Sequence, residues 1–294
     1  MEKNNFLKLI PMLLHEVSKP FNDNNYIFEL KFDGLRCLIY IDNGEIIIKS
    51  RRNIILNNIY PELLEIKNIT NEKCIFDGEI VLFENDKPSF SRLQERARLK
   101  NKNRINYMIE NYPVTFVCFD ILYKNKDLTN MPLIDRKNIL NKFKNTNYFV
   151  KTKYYEGIGK DLFEFVKKEN LEGIIAKKKN SLYTYNKRIK DWIKIKNFKL
   201  EAFYICGYID IEKNNIITLV LGEKINNDFR FVGKVILGKK DNLYKIIKKE
   251  KETKNYLTNF CEIEVSYIKS KYKVDVYYME RTKNNLLRQP FIKK

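Results

Sequence analysis

Between residues 26 and 33, apolar and charged side chains alternate. In an extended chain Tyr26, Phe28, Leu30 and Phe32 share one side, and Ile27, Glu29, Lys31 and Asp33 share the other. "LRCLIYI" and "EIIIKSRR" follow, joined through Asp42, Asn43 and Gly44. An Asn-Gly between two apolar runs predicts a β-hairpin. "CIFDGEIVLF" reads as a further strand, with Asp77 and Glu79 on one face and the turn "ENDK" at its end. "PVTFVCFDILY" is apolar almost throughout, the pattern of a strand covered on both faces. "FSRLQERARLKN" and "PLIDRKNILNKFKN" have helical spacing. So does "KDLFEFVKKENLEG", where Leu162, Phe165, Val166 and Glu169 recur at helical intervals and Gly173 supplies the stop. "IIAKK" and "DWIKIK" are short strands.

The pattern changes after Lys196. "LEAFYICGYID", "NNIITLVLGEK" and "DFRFVGKVILG" are three strands with short turns. A lysine-rich helix, "KDNLYKIIKKEKETK", precedes the strands "CEIEVSYIKS" and "VDVYYME". Short strands with one intervening helix predict a small closed barrel, of which the OB-fold is the common basic example. The chain therefore reads as α+β, with antiparallel sheets and flanking helices over residues 1–197 and a β-barrel over 198–294.

A length of 294 residues with 44% hydrophobic content allows two real cores. Lys and Arg number 56 against 37 Asp and Glu, a net charge of +19. Such an excess points first to a nucleic acid, with a membrane surface or a bias toward Lys, Asn and Ile codons as the plainer explanations. The apolar run in "MEKNNFLKLIPMLLHEV" is too short and interrupted for a signal or membrane helix, and no other stretch is longer. A cytoplasmic chain with no membrane partner is expected. The five cysteines form no CxxC pair, which argues against a zinc site or a disulfide framework. Cys37, Cys74 and Cys118 sit in apolar strand patterns and read as small core residues. His15 is the only histidine, which argues against a histidine triad or histidine metal site. The chemistry falls to Lys, Asp, Glu, Arg and a bound metal.

Lys31 is the residue to explain. Glu29 and Asp33 flank it, and Gly34 and Arg36 follow. An amine attacks only when neutral, and flanking carboxylates favour its charged form. A nucleophilic Lys31 therefore needs positive charge nearby, and Gly34 permits a tight turn that can return Arg36 to it. The plainer alternative is a half-exposed strand with a solvated ion-pair stripe.

"ELKFDGLR" resembles motif I of the covalent nucleotidyltransferases, which comprise ATP-dependent DNA ligases, RNA ligases and mRNA capping enzymes. Further segments resemble the other motifs in order: "KSRR" the hairpin arginine motif, "FDGEIVLF" motif III, "FVCFDILY" motif IIIa, "LEGIIAKKK" motif IV, "KRIKDWIKIK" motif V and "LRQPFIKK" the start of motif VI. The resemblance spans residues 29–293 and is nearest to the ligase module of bacterial end-joining ligases, usually called LigD. It implies an adenylation domain followed by an OB-fold domain. It implies that Lys31 attacks the α-phosphorus of ATP to form lysyl-AMP, that Glu29 sits at the adenine edge, and that Phe119 stacks on the base. Arg36 and Arg51 would contact ribose and phosphate, Glu79 the ribose or a metal, and Glu172 a Mg2+ or Mn2+ ion. Arg188, Lys194 and Lys196 would grip phosphates.

The expected reaction is ATP-dependent sealing of breaks in duplex DNA, in repair, by a monomer at the bacterial nucleoid. Nicked or broken duplex would be the partner, and a Ku-like end-binding protein a second one. An RNA ligase or capping-type transferase is the alternative within the superfamily, and a non-catalytic nucleic-acid-binding protein the alternative outside it. Two departures stand out. The family usually has Asn-Gly after the hairpin arginine, whereas this chain has "SRRNII", so Arg51 fits by position and Arg52 is its rival. The last motif ends soon after Arg288, leaving Lys293 and Lys294 as its remaining basic residues.

Overall fold

The computed structural model describes the chain except for residues 1, 18, 211–214, 227, 263 and 293–294. Lys293 and Lys294 of the last motif thus lie outside the described residues. The chain divides into two compact units, Met1–Asn197 and Phe198–Lys294.

The first unit is built on two sheets. A five-stranded sheet has the order Leu13–Val17, Arg188–Lys196, Gly173–Lys178, Asp23–Leu30, Tyr154–Gly157. Its register fixes what each face carries. Ile175 lies opposite both Glu29 and Lys194, and Lys177 lies opposite both Ile27 and Trp192. Glu16 and Lys194 are opposite in a parallel pair. Directly opposed residues share a face, so Glu16, Lys194, Lys196, Trp192, Lys177 and Glu29 line up on one side. The other side carries Phe28, Ile174, Ala176 and Ile195. There the amphipathic helix Gly159–Lys168 covers them with Leu162, Phe163 and Val166.

A seven-stranded sheet faces the polar side. Its main path runs Glu45–Ser50, Leu35–Asp42, Cys74–Glu84, Val114–Lys124, Lys126–Asp127. The hairpin forms as read, with Asn43 and Gly44 both at positive φ (47° and 77°). Trp192 and Ile27 of the first sheet pack against Leu38, Tyr40, Ile75 and Leu122 of the second. The far face of the second sheet holds Ile39, Phe76, Ile80 and Cys118 under the Pro61–Ile69 3-10 helix and the helices Phe90–Ala97 and Lys102–Asn111. Cys37, Cys74 and Cys118 are buried core residues.

Several elements are shorter than their patterns predict. The strand from Asp23 ends at Leu30, so Lys31 lies just past its end. The helix read toward Gly173 stops at Lys168, because Asn170 takes a left-handed conformation and Gly173 opens a strand. The lysine-rich helix is confined to Asn242–Ile247, where like charges no longer accumulate. Residues 90–101 hold only the helix Phe90–Ala97, and Asn101 then caps a second helix that the pattern did not show.

In the second unit the strands order as Leu257–Thr258, Asp228–Gly238, Ile216–Ile225, Lys199–Ile209, with Ser266–Tyr267 and Lys273–Tyr278 both on the free edge of Lys199–Ile209. Phe203, Leu219, Leu221, Val235, Ile247 and Val276 form its core. The expected closed barrel is not found: among the described residues no pairing joins the outermost strands. The free edge of Lys199–Ile209 is used by two successive short partners, and the sheet stays open.

Two buried ion pairs fix helices in the first unit, one to a strand and one to the 3-10 helix Pro61–Ile69. Arg136, in the helix Leu133–Leu140, grips Asp120 through two hydrogen bonds of 2.9 and 2.8 Å, with both side chains fully buried. Arg96 pairs with Glu62 at 2.6 Å, equally buried. Removing one partner of such a pair leaves a stranded charge. We expect Asp120→Asn to destabilise the first unit by about 3–5 kcal/mol. Replacing both residues with Leu should recover most of that loss. Urea unfolding checks this, and a loss under about 1 kcal/mol for the single variant would show that the pair is not structural.

Candidate active site

The two sheets enclose a pocket lined by Glu29, Lys31, Arg36, Glu79, Phe119, Lys177 and Trp192, with Leu14, Leu30, Phe32, Thr152 and Ile175 completing the wall. Of the residues singled out in the sequence, the pocket brings together Glu29, Lys31, Arg36, Glu79 and Phe119.

Lys31 Nζ donates to Glu172 Oε2 at 2.8 Å. Its backbone N–H donates to the Gly173 carbonyl at 2.9 Å, which ties the loop after Leu30 to the start of the next strand. Burial disfavours the charged amine. Glu172, Glu79 and Asp33 outweigh that effect and hold Lys31 above the ordinary lysine value. Carboxylates thus favour the charged form, and the arginine expected to oppose them is engaged elsewhere. Arg36 Nε and Nη2 grip Asp77 at 3.1 and 2.7 Å, and its Nη1 donates to the Met12 carbonyl at 2.7 Å. The Tyr183 hydroxyl completes this cluster on Asp77 at 2.6 Å. Arg36 still lies against the pocket, 5.3 Å from the Phe119 ring centre.

Gly34 sits in a bend between Lys31 and Arg36. Its φ is not positive, and what it supplies is close approach. A Cβ there would lie 2.3 Å from the Ile80 carbonyl oxygen and 2.8 Å from Glu79 Cγ. Glu79 is directly opposite Arg36 in the ladder. Burial pushes its carboxyl up to about 8, with Lys31 and Arg36 pulling the other way.

Glu29 is held by two lysines, Lys137 and Lys177, the latter at 2.7 Å. Lys177 is 2% exposed and sits 4.2 Å from the Phe119 ring centre and 4.0 Å from that of Trp192. Burial pulls its ammonium down to about 8 despite Glu29. Neither Lys177 nor Lys137 stood out in the sequence. Lys177 was findable: it alternates with Ile175 in "IIAKKK" and so faces the same side as Glu29 once the strands are paired.

Lys194 pairs with Glu16 at 2.7 Å, and Lys196 is drawn down by burial against the pull of Glu16 and Glu172. Both belong to the charge cluster around Lys31, since Lys31 and these lysines all act on Glu16. Arg51 and Arg188 are not brought in. Arg51 is exposed in the turn after Ser50, as is Arg52, and only the Arg51 backbone reaches Arg36, donating to its carbonyl at 3.2 Å. Arg188 is exposed and donates to the Leu14 carbonyl at the strand edge.

No cluster of three or more potential acidic, His or Cys metal ligands occurs among the described residues. Two carboxylates, Glu79 and Glu172, nonetheless flank the Lys31 amine, and each raises it. No side chain among the described residues hydrogen-bonds to Glu79. An unpaired half-buried carboxyl beside a second carboxylate fits a hard divalent cation completed by non-protein oxygens.

The position of Glu79 has a testable consequence for stability. Its folded-state pKa of about 8 lies above the ordinary 4.5, so its favourable contribution is full below 4.5 and is lost as pH rises through 8. Glu79→Gln should therefore be more stable than the parent by a margin that grows across this interval and then levels. Thermal unfolding in chelator from pH 4 to 9 measures it, and a margin independent of pH would contradict the assigned shift.

A profile of the ATP dependent DNA ligase domain matches residues 11–196. The SPbeta prophage-derived DNA ligase-like protein LigB of Bacillus subtilis is 34% identical over 202 residues, covering 67% of this chain and 71% of that protein. The multifunctional non-homologous end joining protein LigD of Mycolicibacterium smegmatis is 30% identical over 95% of this chain, which spans only 37% of that protein. Among solved structures, mycobacterial DNA ligase D complexed with ATP and MES superposes with a TM-score of 0.60 at 24% identity, covering 99% of this chain and 95% of that one. That likeness shows a shared mixed α+β fold. Since the matched stretch contains the whole Lys31 pocket, the chain belongs to the family of ATP-dependent DNA ligases.

Proposed function

We propose that this chain seals breaks in duplex DNA through a lysyl-AMP intermediate on Lys31, with Met1–Asn197 as the adenylation domain and the second unit as the family's OB-type module. The observation that carries the reading is the placement of Lys31 at 2.8 Å from Glu172 in a pocket shared with Glu29, Glu79 and Phe119. In the first step Lys31 Nζ attacks the α-phosphorus of ATP, and the bond to the pyrophosphate oxygen breaks. The AMP then passes to a 5′-phosphate at the break. A 3′-hydroxyl attacks that phosphate and expels AMP.

The chain's own groups fit these roles. Phe119, half-buried between the buried Cys118 and Asp120, offers a face for the adenine. Glu29, fixed by its two lysines, sets the base edge. Glu172 accepts the hydrogen bond from Lys31 and is placed to take its proton. Glu79 and Glu172 would hold Mg2+ or Mn2+, which supplies positive charge that neutralises both carboxylates and favours the neutral amine. Lys194 and Lys196 lie on the same face and support phosphate binding. Arg51 and Arg188 are proposed to reach phosphate only with substrate bound, and they carry less weight in this reading.

The names of the LigD relatives point to end joining, and we assign the chain to DNA break repair on that basis. Nicks or duplex ends are the proposed substrate and a Ku-like protein the proposed recruiter. The buried cysteines are free thiols, which suits a reducing bacterial cytoplasm; a monomer acting at the nucleoid is part of the proposal. Among the described residues no helix is long and apolar enough to cross a membrane.

Incubation with ATP and magnesium, without DNA, should add one AMP to the intact protein, and peptide mapping should place it on Lys31. Lys31→Ala and Lys31→Arg should lose the adduct while keeping the fold, the latter because a guanidinium stays protonated. An adduct on another lysine would reject the assignment. Glu172→Ala should slow adduct formation by on the order of 10²-fold or more. Its adenylylation rate should also lose most of its dependence on metal concentration. A rate within a few-fold of the parent would remove Glu172 from the reaction.

A further inference from the structure

The strand Leu13–Val17 carries a carboxylate, Glu16, that has no part in the proposed reaction. This strand runs parallel to Arg188–Lys196, and the pairing is irregular. Leu13 and Leu14 lie opposite Arg188 and Ile189, and the partner of His15 then jumps to Ile193. A continuous register would set Glu16 opposite Asp191, a like charge across the ladder. The jump sets it opposite Lys194 instead, and Glu16 Oε2 lies 2.7 Å from Lys194 Nζ. Two more amines bear on the same group. Burial works against the Glu16 charge, and Lys194, Lys196 and Lys31 together outweigh burial and hold its carboxyl below the ordinary value. Lys196 in turn feels both Glu16 and Glu172.

The two ion pairs of this cluster differ in exposure. The side chains of Lys31 and Glu172 are 18% and 9% exposed, whereas those of Lys194 and Glu16 are 22% and 42% exposed. A solvated pair contributes little to stability, and its members exchange partners readily. Glu16 is therefore a weak structural tie. It is instead well placed as a counter-ion that an arriving anion replaces on Lys194. Once replaced, the carboxylate stays behind as a negative charge close to the phosphates, and the two repel. The repulsion grows with the charge of the bound group. It is larger for a triphosphate or free pyrophosphate than for an AMP attached to lysine, whose phosphate carries less charge.

We propose that Glu16 is a positioning residue that competes with phosphates for Lys194 and so limits how tightly triphosphate and pyrophosphate are held. The proposal rests on the ligase reading above, in which Lys194 is a phosphate ligand. Such a counter-charge favours departure of pyrophosphate after each adenylyl transfer and leaves the attached AMP in place. It acts on binding through Lys194 and touches no reacting atom.

The test uses the full chain and two measurements. The first is calorimetric titration with inorganic pyrophosphate in chelator, where no reaction occurs. The second is the rate of self-adenylylation against ATP concentration. Glu16→Gln keeps the shape and removes the charge. It should bind pyrophosphate about fivefold tighter and lower the half-saturating ATP concentration by about the same factor. Its rate at saturating ATP and its thermal midpoint should match the parent, because only binding is altered. Glu16→Asp keeps the charge and should stay within about twofold of the parent in both measurements. Pyrophosphate affinity that is unchanged in Glu16→Gln overturns the proposal. So does a weakened affinity, because Glu16 would then be orienting Lys194 toward the phosphates. An Asp variant that behaves like the Gln variant overturns it too, since shape and not charge would be the cause. A parent that forms no lysyl-AMP would instead reject the functional reading, and the pyrophosphate titration still reads Glu16 in that case.

Discussion

A charge placed between two packed sheets must find its counter-charge there, and this requirement organises the first unit. The five-stranded sheet can turn side chains only to two faces, and one is taken by the apolar contact with the helix Gly159–Lys168. Glu29, Lys177 and Lys194 therefore emerge on the face that meets the second sheet. Leaving any of them unpaired there would cost several kcal/mol. Glu29 is met by Lys177 of its own sheet and by Lys137 of the helix Leu133–Leu140, Lys194 is met by Glu16, and on the second sheet Asp77 takes Arg36 and Asp120 takes Arg136.

The distribution of those partners explains why one spot is left for chemistry. Glu29 has two lysines, and Asp77 has an arginine and a tyrosine hydroxyl. These groups are fixed and can orient a ligand without rearranging. Around Lys31 the balance differs. One amine meets Glu172 at 2.8 Å and feels Glu79 and Asp33 as well. The local excess of negative charge favours the protonated amine. Arg36 cannot relieve it while clamped on Asp77. Whatever activates Lys31 must bring positive charge in, which fits a substrate that enters with its cation.

Much of this was legible in the sequence. Glu29, Lys31, Glu79, Phe119 and Glu172 carry motifs whose spacing is local, and each lies in or beside the pocket. Pairings between distant segments were not legible. Nothing near Arg36 in the chain shows that Asp77, 41 residues away, takes its guanidinium. Lys137 lies 108 residues from Glu29, in a helix whose pattern gave no reason to bury a lysine. The barrel failed for a related cause. Strand patterns show which segments pair, but closure depends on which edge is already occupied, and Lys199–Ile209 spends its edge on two short partners.

Glycines set the final geometry around Lys31. Lys31 is beyond the end of its strand and has no ladder to hold it in register. Its place is set by the hydrogen bond to the Gly173 carbonyl and by the packing of Gly34 on the Ile80 carbonyl and Glu79. At Gly173, φ is 154°, and a Cβ would lie 2.2 Å from the Ile195 carbonyl oxygen. Any other residue would push the Glu172 backbone away from Lys31. At Gly34 a side chain would push the loop away from Glu79. Each of the two carboxylates that govern the amine is thus brought to it by a backbone approach that only glycine permits. In the motif read from the sequence, Gly34 matters as a spacer of zero width that lets an acidic strand close on Lys31.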